Sequence, residues 1–162
     1  MAGFHTKTFI KYDDYMTPKY AWEDIKQYIP NVKLWEAFYG DSTSGQYLTE
    51  LGFDVIHEER NFYDEPPEYD CLVSNPPFSQ SKDILKRLKE LDKPFILILP
   101  SSKINTSYMR DNFKDKGLQI IIPRKRIHFK KLVDGKVVEK KSCCNFDCFY
   151  YCYKINLPRD IV

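Results

Sequence analysis

Nowhere in the 162 residues does an apolar run approach the ~20 residues that a helical membrane span requires. The start, "MAGFHTKTFIKYDDY", has no hydrophobic signal core, so an intracellular location is the expectation. There is no internal repeat, low-complexity tract or linker, and the length suits a single domain over residues 1–162. No Walker A pattern and no complete G-x-G-x-x-G occurs, which leaves nucleotide phosphates poorly supported as ligands. The five cysteines (Cys71, Cys143, Cys144, Cys148 and Cys152) include no C-x-x-C pair. Cys148 and Cys152 share strand parity with Phe146 and Tyr150, so they read as small core hydrophobes, and no metal is expected. No cysteine directly follows a proline, and Cys71 lies inside an apparent strand, which disfavours covalent cysteine catalysis. His5, His57 and His128 form no visible triad with a serine, so acyl transfer has little support.

What is there is a globular composition, 43% apolar and 30% charged. The net charge is only +2, yet it is divided unevenly. Residues 1–100 carry 11 Lys/Arg against 17 Asp/Glu, whereas residues 101–162 carry 14 against 6. A basic face built from the C-terminal third favours a polyanionic partner, although a solvated surface would look the same on charge alone.

Strand and helix patterns alternate. "TPKYAWEDIKQYI" predicts a helix with Thr17 as N-cap and Pro18 at its first position. "KLWEAF" reads as a strand, "SGQYLTEL" as a helix stopped by Gly52, and "FDVIHE" and "YDCLVS" as two further strands. "SKDILKRLKEL" places Ile84, Leu85, Leu88 and Leu91 on one stripe. "PFILILP" and "LQIIIP" read as buried strands, with a helix over "KINTSYMRDNFKD" between them. Asp134-Gly135 marks a hairpin, and "NFDCFYYCYKI" a final strand that joins antiparallel. The expected fold is therefore α/β and Rossmann-like, a mostly parallel sheet with an antiparallel C-terminal strand.

In such a sheet ligands bind outside the carboxyl ends of the strands, and the loops there are unusual. "EAFYGDSTSG" combines small residues with two carboxylates, which suits a cationic or hydroxyl-rich ligand. Glu58-Glu59 ends the second strand, where an acid can accept both hydroxyls of a ribose. Asn61-Phe62 offers an amide for a base edge and a ring that either stacks on it or belongs to the core. In "SNPPFS", Pro76 and Pro77 stiffen the backbone and remove two N–H donors. Asn75 adds a side-chain carbonyl, and two convergent acceptors suit an –NH2 group. Phe78 supplies a ring for a planar base.

N-P-P-F at the end of a central strand resembles motif IV of the class I S-adenosylmethionine-dependent methyltransferases that modify exocyclic amino groups, especially the N6-adenine enzymes. "YMTPKY" resembles the Thr-Pro motif before the core, at Thr17. "LWEAFYGDSTSGQYL" resembles the methionine-binding loop, with Glu36, Phe38, Gly40 and Asp41 at corresponding places. Glu58 or Glu59 matches the ribose-binding acid, and Asn61-Phe62 resembles the Asp-Phe pair beside the cofactor's adenine. Ala37 stands where proline is frequent, Asp41-Ser42 replaces the second glycine of G-x-G, and Asn61 replaces Asp. The short interval before "YDCLVS" implies that one helix–strand unit is missing, a minimal version of the fold.

The resemblance implies S-adenosylmethionine as cofactor and Asn75, Pro76, Pro77 and Phe78 as the catalytic motif. The substrate expected is a nucleic-acid amino group, adenine N6 in DNA or RNA. Residues 1–31 would then be an N-terminal segment and helix, 32–100 the cofactor-binding and catalytic half, and 101–162 a basic substrate-facing half with a hairpin near 127–139. Arg124, Lys125, Arg126, His128, Lys130 and Lys131 are the expected phosphate contacts. No separate target-recognition domain is visible, so specificity would be low, set by a protein partner, or confined to unpaired structure. A protein- or metabolite-directed N-methyltransferase and a non-catalytic nucleic-acid-binding subunit stay open as alternatives.

Overall fold

Two strands buried on both faces organise the molecule: β4 (Cys71–Ser74) and β5 (Phe95–Pro100) pair in parallel, Leu72 with Phe95 and Ser74 with Leu97. The structure, a computed structural model, describes residues 15–133, 136–138 and 146–162, with the backbone alone described at 131–133 and 136–138. On one side of β4 lie β2 (Leu34–Trp35) and then β3 (Val55–Ile56), both parallel to it. On the far side of β5, β9 (Cys148–Tyr153) runs antiparallel over six residue pairs, and β6 (Gln119–Ile121) pairs antiparallel to β9. The order β3-β2-β4-β5-β9-β6, with only β9 reversed, is the expected Rossmann-like arrangement. Between β3 and β4 the chain crosses in residues 57–70 with no helix or strand, as the short interval implied.

The sheet is apolar through its centre because both faces are covered. Helix α3 (Ser81–Leu91) forms over the whole expected span. Its Ile84, Leu85 and Leu88 are buried while Lys82, Lys86 and Lys89 face solvent, the stripe that packs a helix on a sheet. The outer edge of β6 is capped by residues 160–162, where the Ile120 N–H donates to the Asp160 carbonyl (2.8 Å) and the Ile122 N–H to Val162 (2.7 Å). That pairing covers an edge that would otherwise recruit another strand. Among the described residues no helix is long and apolar enough to cross a membrane.

Helix α1 (Lys19–Glu23) is shorter than the sequence suggests. Pro18 occupies the N-cap and no side chain caps the helix, so Thr17 does not have the capping role expected of it. At the other end the Ala21 carbonyl is taken by the Tyr150 hydroxyl (2.6 Å), while the Ile25 N–H turns to the Trp22 carbonyl (3.3 Å). Losing that i to i−4 bond tightens the next turn, Lys26–Tyr28, into a 3₁₀ helix. The helix expected over residues 103–115 is likewise divided. A 3₁₀ turn (Ser101–Asn105) stops at Thr106, whose hydroxyl accepts the Met109 N–H (3.3 Å) and starts α4 (Ser107–Phe113).

The two strands of the expected hairpin are present, but their union with an N-terminal strand into a second, small sheet was not expected from sequence. β1 (Tyr15–Met16) pairs antiparallel with β7 (Lys130–Val133), which pairs in turn with β8 (Lys136–Val138). Val133 faces Lys136 across the hairpin, and the Asp134-Gly135 turn lies outside the described residues. The same holds for Cys143, Cys144, Lys140 and Lys141, while Cys71, Cys148 and Cys152 are buried thiols.

Candidate active site at the switch point

The strand order reverses between β2 and β4, so the loops leaving their carboxyl ends, residues 36–42 and 75–78, face each other. Glu36 and Ser74, the residues at those two ends, are buried and joined: the Ser74 hydroxyl donates to Glu36 Oε1, which also accepts the Phe38 N–H (3.0 Å). Glu36 Oε2 has no hydrogen-bond partner among the described residues. Burial pushes the Glu36 carboxyl up to about 8 from its ordinary 4.5, against the opposing hydrogen bonds of Ser74 and Phe38. A cationic group beside Oε2 would favour the ionised form instead.

The loop after Glu36 is tightly turned. Gly40 has φ 57° and Ser42 φ 70°, so a serine takes the left-handed conformation that the missing glycine would have adopted freely. Asp41 Oδ1 accepts both the Thr43 N–H (3.0 Å) and the Thr43 hydroxyl (2.5 Å), a local turn that leads through Ser42 into α2 (Thr43–Glu50). A Cβ on Gly40 would stand 3.1 Å from Met16 Sδ, which leaves β1 packed close over the loop. A Cβ on Gly45 would stand 2.2 Å from His57 Cγ, so α2 and the end of β3 meet without room for a side chain. His57 stacks on Tyr39 with ring centroids 6.3 Å apart, and its Nδ1 is buried without a hydrogen-bond partner among the described residues. The Thr17 hydroxyl is in the same condition.

Asn75 is held by one end only. Its Nδ2 donates to the Tyr15 carbonyl (3.1 Å), and a carbonyl can only accept, so the amide orientation is fixed. The Oδ1 is therefore presented on the other side, buried and without a hydrogen-bond partner among the described residues. Phe78 packs edge-on against Phe146 (5.5 Å) and Phe129 (6.1 Å), and Tyr15 does the same at 5.5 and 6.2 Å. The Ser81 hydroxyl, at the start of α3, donates to the Phe78 carbonyl (2.7 Å) and fixes the turn after the two prolines. The oriented amide of Asn75 and the four-ring group are thus tied to the same two segments, through the Tyr15 backbone and through Phe78 three residues on.

The other expected site residues are distributed differently. Glu58 and Glu59 are exposed, and Glu58 pairs with Arg60 (2.5 Å). Asn61 Oδ1 accepts the Tyr63 N–H (3.0 Å), a local turn. Phe62 is fully buried between Trp35 (5.7 Å) and Phe38 (4.8 Å), which makes it a core ring. Arg124, Lys125 and His128 are exposed, and Arg126 pairs with Asp147 (3.2 Å). Lys130 and Lys131 fall in β7 opposite Met16 and Tyr15, which brings the basic hairpin to the strand that holds Asn75. Sequence reasoning missed Tyr15, Ser74, His57 and Phe146. Tyr15 and Phe146 are far from Asn75 along the chain, and no local pattern marks them.

No protein-family model and no curated protein matches the chain. Among solved structures it is similar to the tRNA (m1A58) methyltransferase TrmI from Aquifex aeolicus, at TM-score 0.49 and 15% identity over 93% of this chain and 72% of that one. It is also similar to TehB from Haemophilus influenzae, at TM-score 0.43 and 14% identity over 80% of this chain and 58% of that one.

Proposed function

We propose that the chain is an S-adenosylmethionine-dependent methyltransferase acting on an exocyclic amino group of a nucleic-acid base, adenine N6 foremost. The observation that carries this reading is Asn75, whose Nδ2 is fixed on Tyr15 while its buried Oδ1 has no donor among the described residues. A buried carbonyl without a donor is costly, by about 1–3 kcal/mol, unless a ligand supplies one. An amino group supplies two, one for Asn75 Oδ1 and one for the Pro76 carbonyl.

The cofactor's place is supported by three further buried polar atoms without partners among the described residues: Thr17 Oγ1, Glu36 Oε2 and His57 Nδ1. They belong to segments that border the Gly40 loop, and their donor and acceptor types suit an amino-acid head and a hydroxyl-rich sugar. Thr17, Glu36, Phe38, Gly40 and Asp41 would hold the amino-acid head, and Glu58 or Glu59 the ribose of the nucleoside, while Asn61 and Phe62, engaged in a local turn and in the core, are not assigned to it. When bound, the cofactor supplies an electrophilic methyl group on a sulfonium.

The protein's part is to hold and polarise the amine. Asn75 Oδ1 and the Pro76 carbonyl fix its two N–H groups, so the nitrogen lone pair is aimed and not averaged over orientations. The same two acceptors stabilise positive charge as it develops on nitrogen. No strong base is needed beforehand, since the proton leaves after nitrogen has become cationic. The aromatic group of Tyr15, Phe78, Phe129 and Phe146 favours a planar base over an aliphatic amine. Because Asn75 Oδ1 is buried, the base must be flipped out of a duplex or already unpaired.

The test is incubation with methyl-labelled cofactor and DNA or RNA, digestion to nucleosides, and identification of the labelled one. N6-methyladenosine or its deoxy form is the expected product. Label found only in protein, or no cofactor binding by calorimetry, would sink the reading.

A further inference from the structure

Tyr20 of α1 makes contacts that the reaction does not require. Its hydroxyl accepts the His128 N–H (2.7 Å) and donates to the Arg126 carbonyl (3.3 Å), and the Lys125 ammonium lies 4.6 Å from its ring centroid. A single side chain therefore holds the backbone and one cation of a basic segment just before β7. Burial alternates along that segment: Arg126 and His128 are exposed, whereas Ile127 and Phe129 are each 2% exposed. Phe129 turns inward to the ring group around Phe78. Arg126 fastens the other flank to Asp147 (3.2 Å) and to the Phe146 carbonyl (3.3 Å). Arg124, Lys125 and His128 are left facing solvent on a backbone tied down on both sides.

We infer that residues 124–129 form a rail for the phosphates of one nucleic-acid strand, and that Tyr20 is the positioning residue that fixes this rail beside the Asn75 pocket. The placement of a base in that pocket rests on the function proposed above. A solvated basic loop needs no buried anchors and no phenol bridging its backbone. A rail does, because cations ordered before binding lose less conformational entropy when phosphates arrive. The segment's inward ring and outward cations also link base and phosphate through one short stretch of chain. That suits a single strand whose base has left the stack, and it does not require a duplex groove.

The test is fluorescence anisotropy of labelled single-stranded RNA and DNA 12-mers, and of the matching duplexes, across a salt titration. The single strand is expected to bind more tightly than its duplex. In the surface double variant Arg124→Ala/Lys125→Ala, the slope of log K against log salt should fall by about 1.4, about 0.7 for each phosphate no longer neutralised. Tyr20→Phe keeps the ring under Lys125 but removes both hydroxyl bonds, and should weaken strand binding roughly 3- to 10-fold with a reduced slope. Unchanged slopes in both variants, duplex binding as tight as single-strand binding, or no binding by the intact protein would each overturn the rail. Methylation with unchanged slopes would remove the rail and keep the enzyme. Weakened binding in the variants of a protein that methylates nothing would do the reverse.

Discussion

Replacing Glu36 with glutamine should make the cofactor-free protein insensitive to a pH change that weakens the original. The Glu36 carboxyl is fully buried and pushed up to about 8, against an ordinary value of 4.5. Between those two values the folded chain keeps a proton that the unfolded chain releases. Folding stability is therefore greatest below the unfolded value and falls as pH rises, levelling off only above the folded value. The difference corresponds to at most roughly 5 kcal/mol. Even a loss of about 2 kcal/mol would lower the melting temperature by roughly 4–8 °C for a chain of this size. The substituted amide would keep an oxygen to accept from Ser74 and Phe38, and it carries no charge to bury. Urea unfolding of both proteins at pH 5, 6.5 and 8 should show the original losing stability with pH and Glu36→Gln staying nearly flat. Parallel curves, or an original protein that gains stability between pH 5 and 8, would refute the reasoning. Cofactor binding adds a second check: an ammonium placed at Oε2 should drive proton release, which calorimetry in buffers of different ionisation enthalpy detects.

Asn75→Ala should reduce methyl transfer by roughly 100- to 1,000-fold, the scale of losing one oriented transition-state partner, while calorimetry still detects cofactor binding. Asn75→Asp keeps an oxygen acceptor but sets a second one against the Tyr15 carbonyl. It should cost about 1–3 kcal/mol in urea unfolding and fail to restore transfer. Gly45→Ala drives a methyl into His57, 2.2 Å from its Cγ, and should destabilise by about 1–3 kcal/mol in the same assay. Tyr150→Phe removes the bond to the Ala21 carbonyl and should cost about 1 kcal/mol, with helicity by circular dichroism unchanged or raised.

Elements whose stability is local were legible from sequence. The α3 stripe, the all-apolar β5 and the two-proline turn each carry their own pattern, and they stand where that pattern puts them. Elements decided by distant partners were not. Where α1 ends, the Ala21 carbonyl accepts from Tyr150, more than a hundred residues away, a partner that no local pattern marks. Phe62 lies within polar sequence, yet it packs between Trp35 and Phe38, two residues from a strand and loop more than twenty positions earlier. In the candidate site, the Asn75 motif was readable because prolines restrict their own backbone. What orients the Asn75 amide was not, because β1 is two residues long and exists through its pairing with β7.

The Tyr20 hydroxyl grips main-chain atoms, the Arg126 carbonyl and the His128 N–H. Side chains at 124 and 128 can therefore be exchanged without loosening the attachment, since each replacement other than proline brings the same backbone groups. Attachment and recognition are separable here. A lineage, or a protein engineer, could change which polymer this face prefers by rewriting a few exposed positions, while the geometry of the pocket is inherited intact.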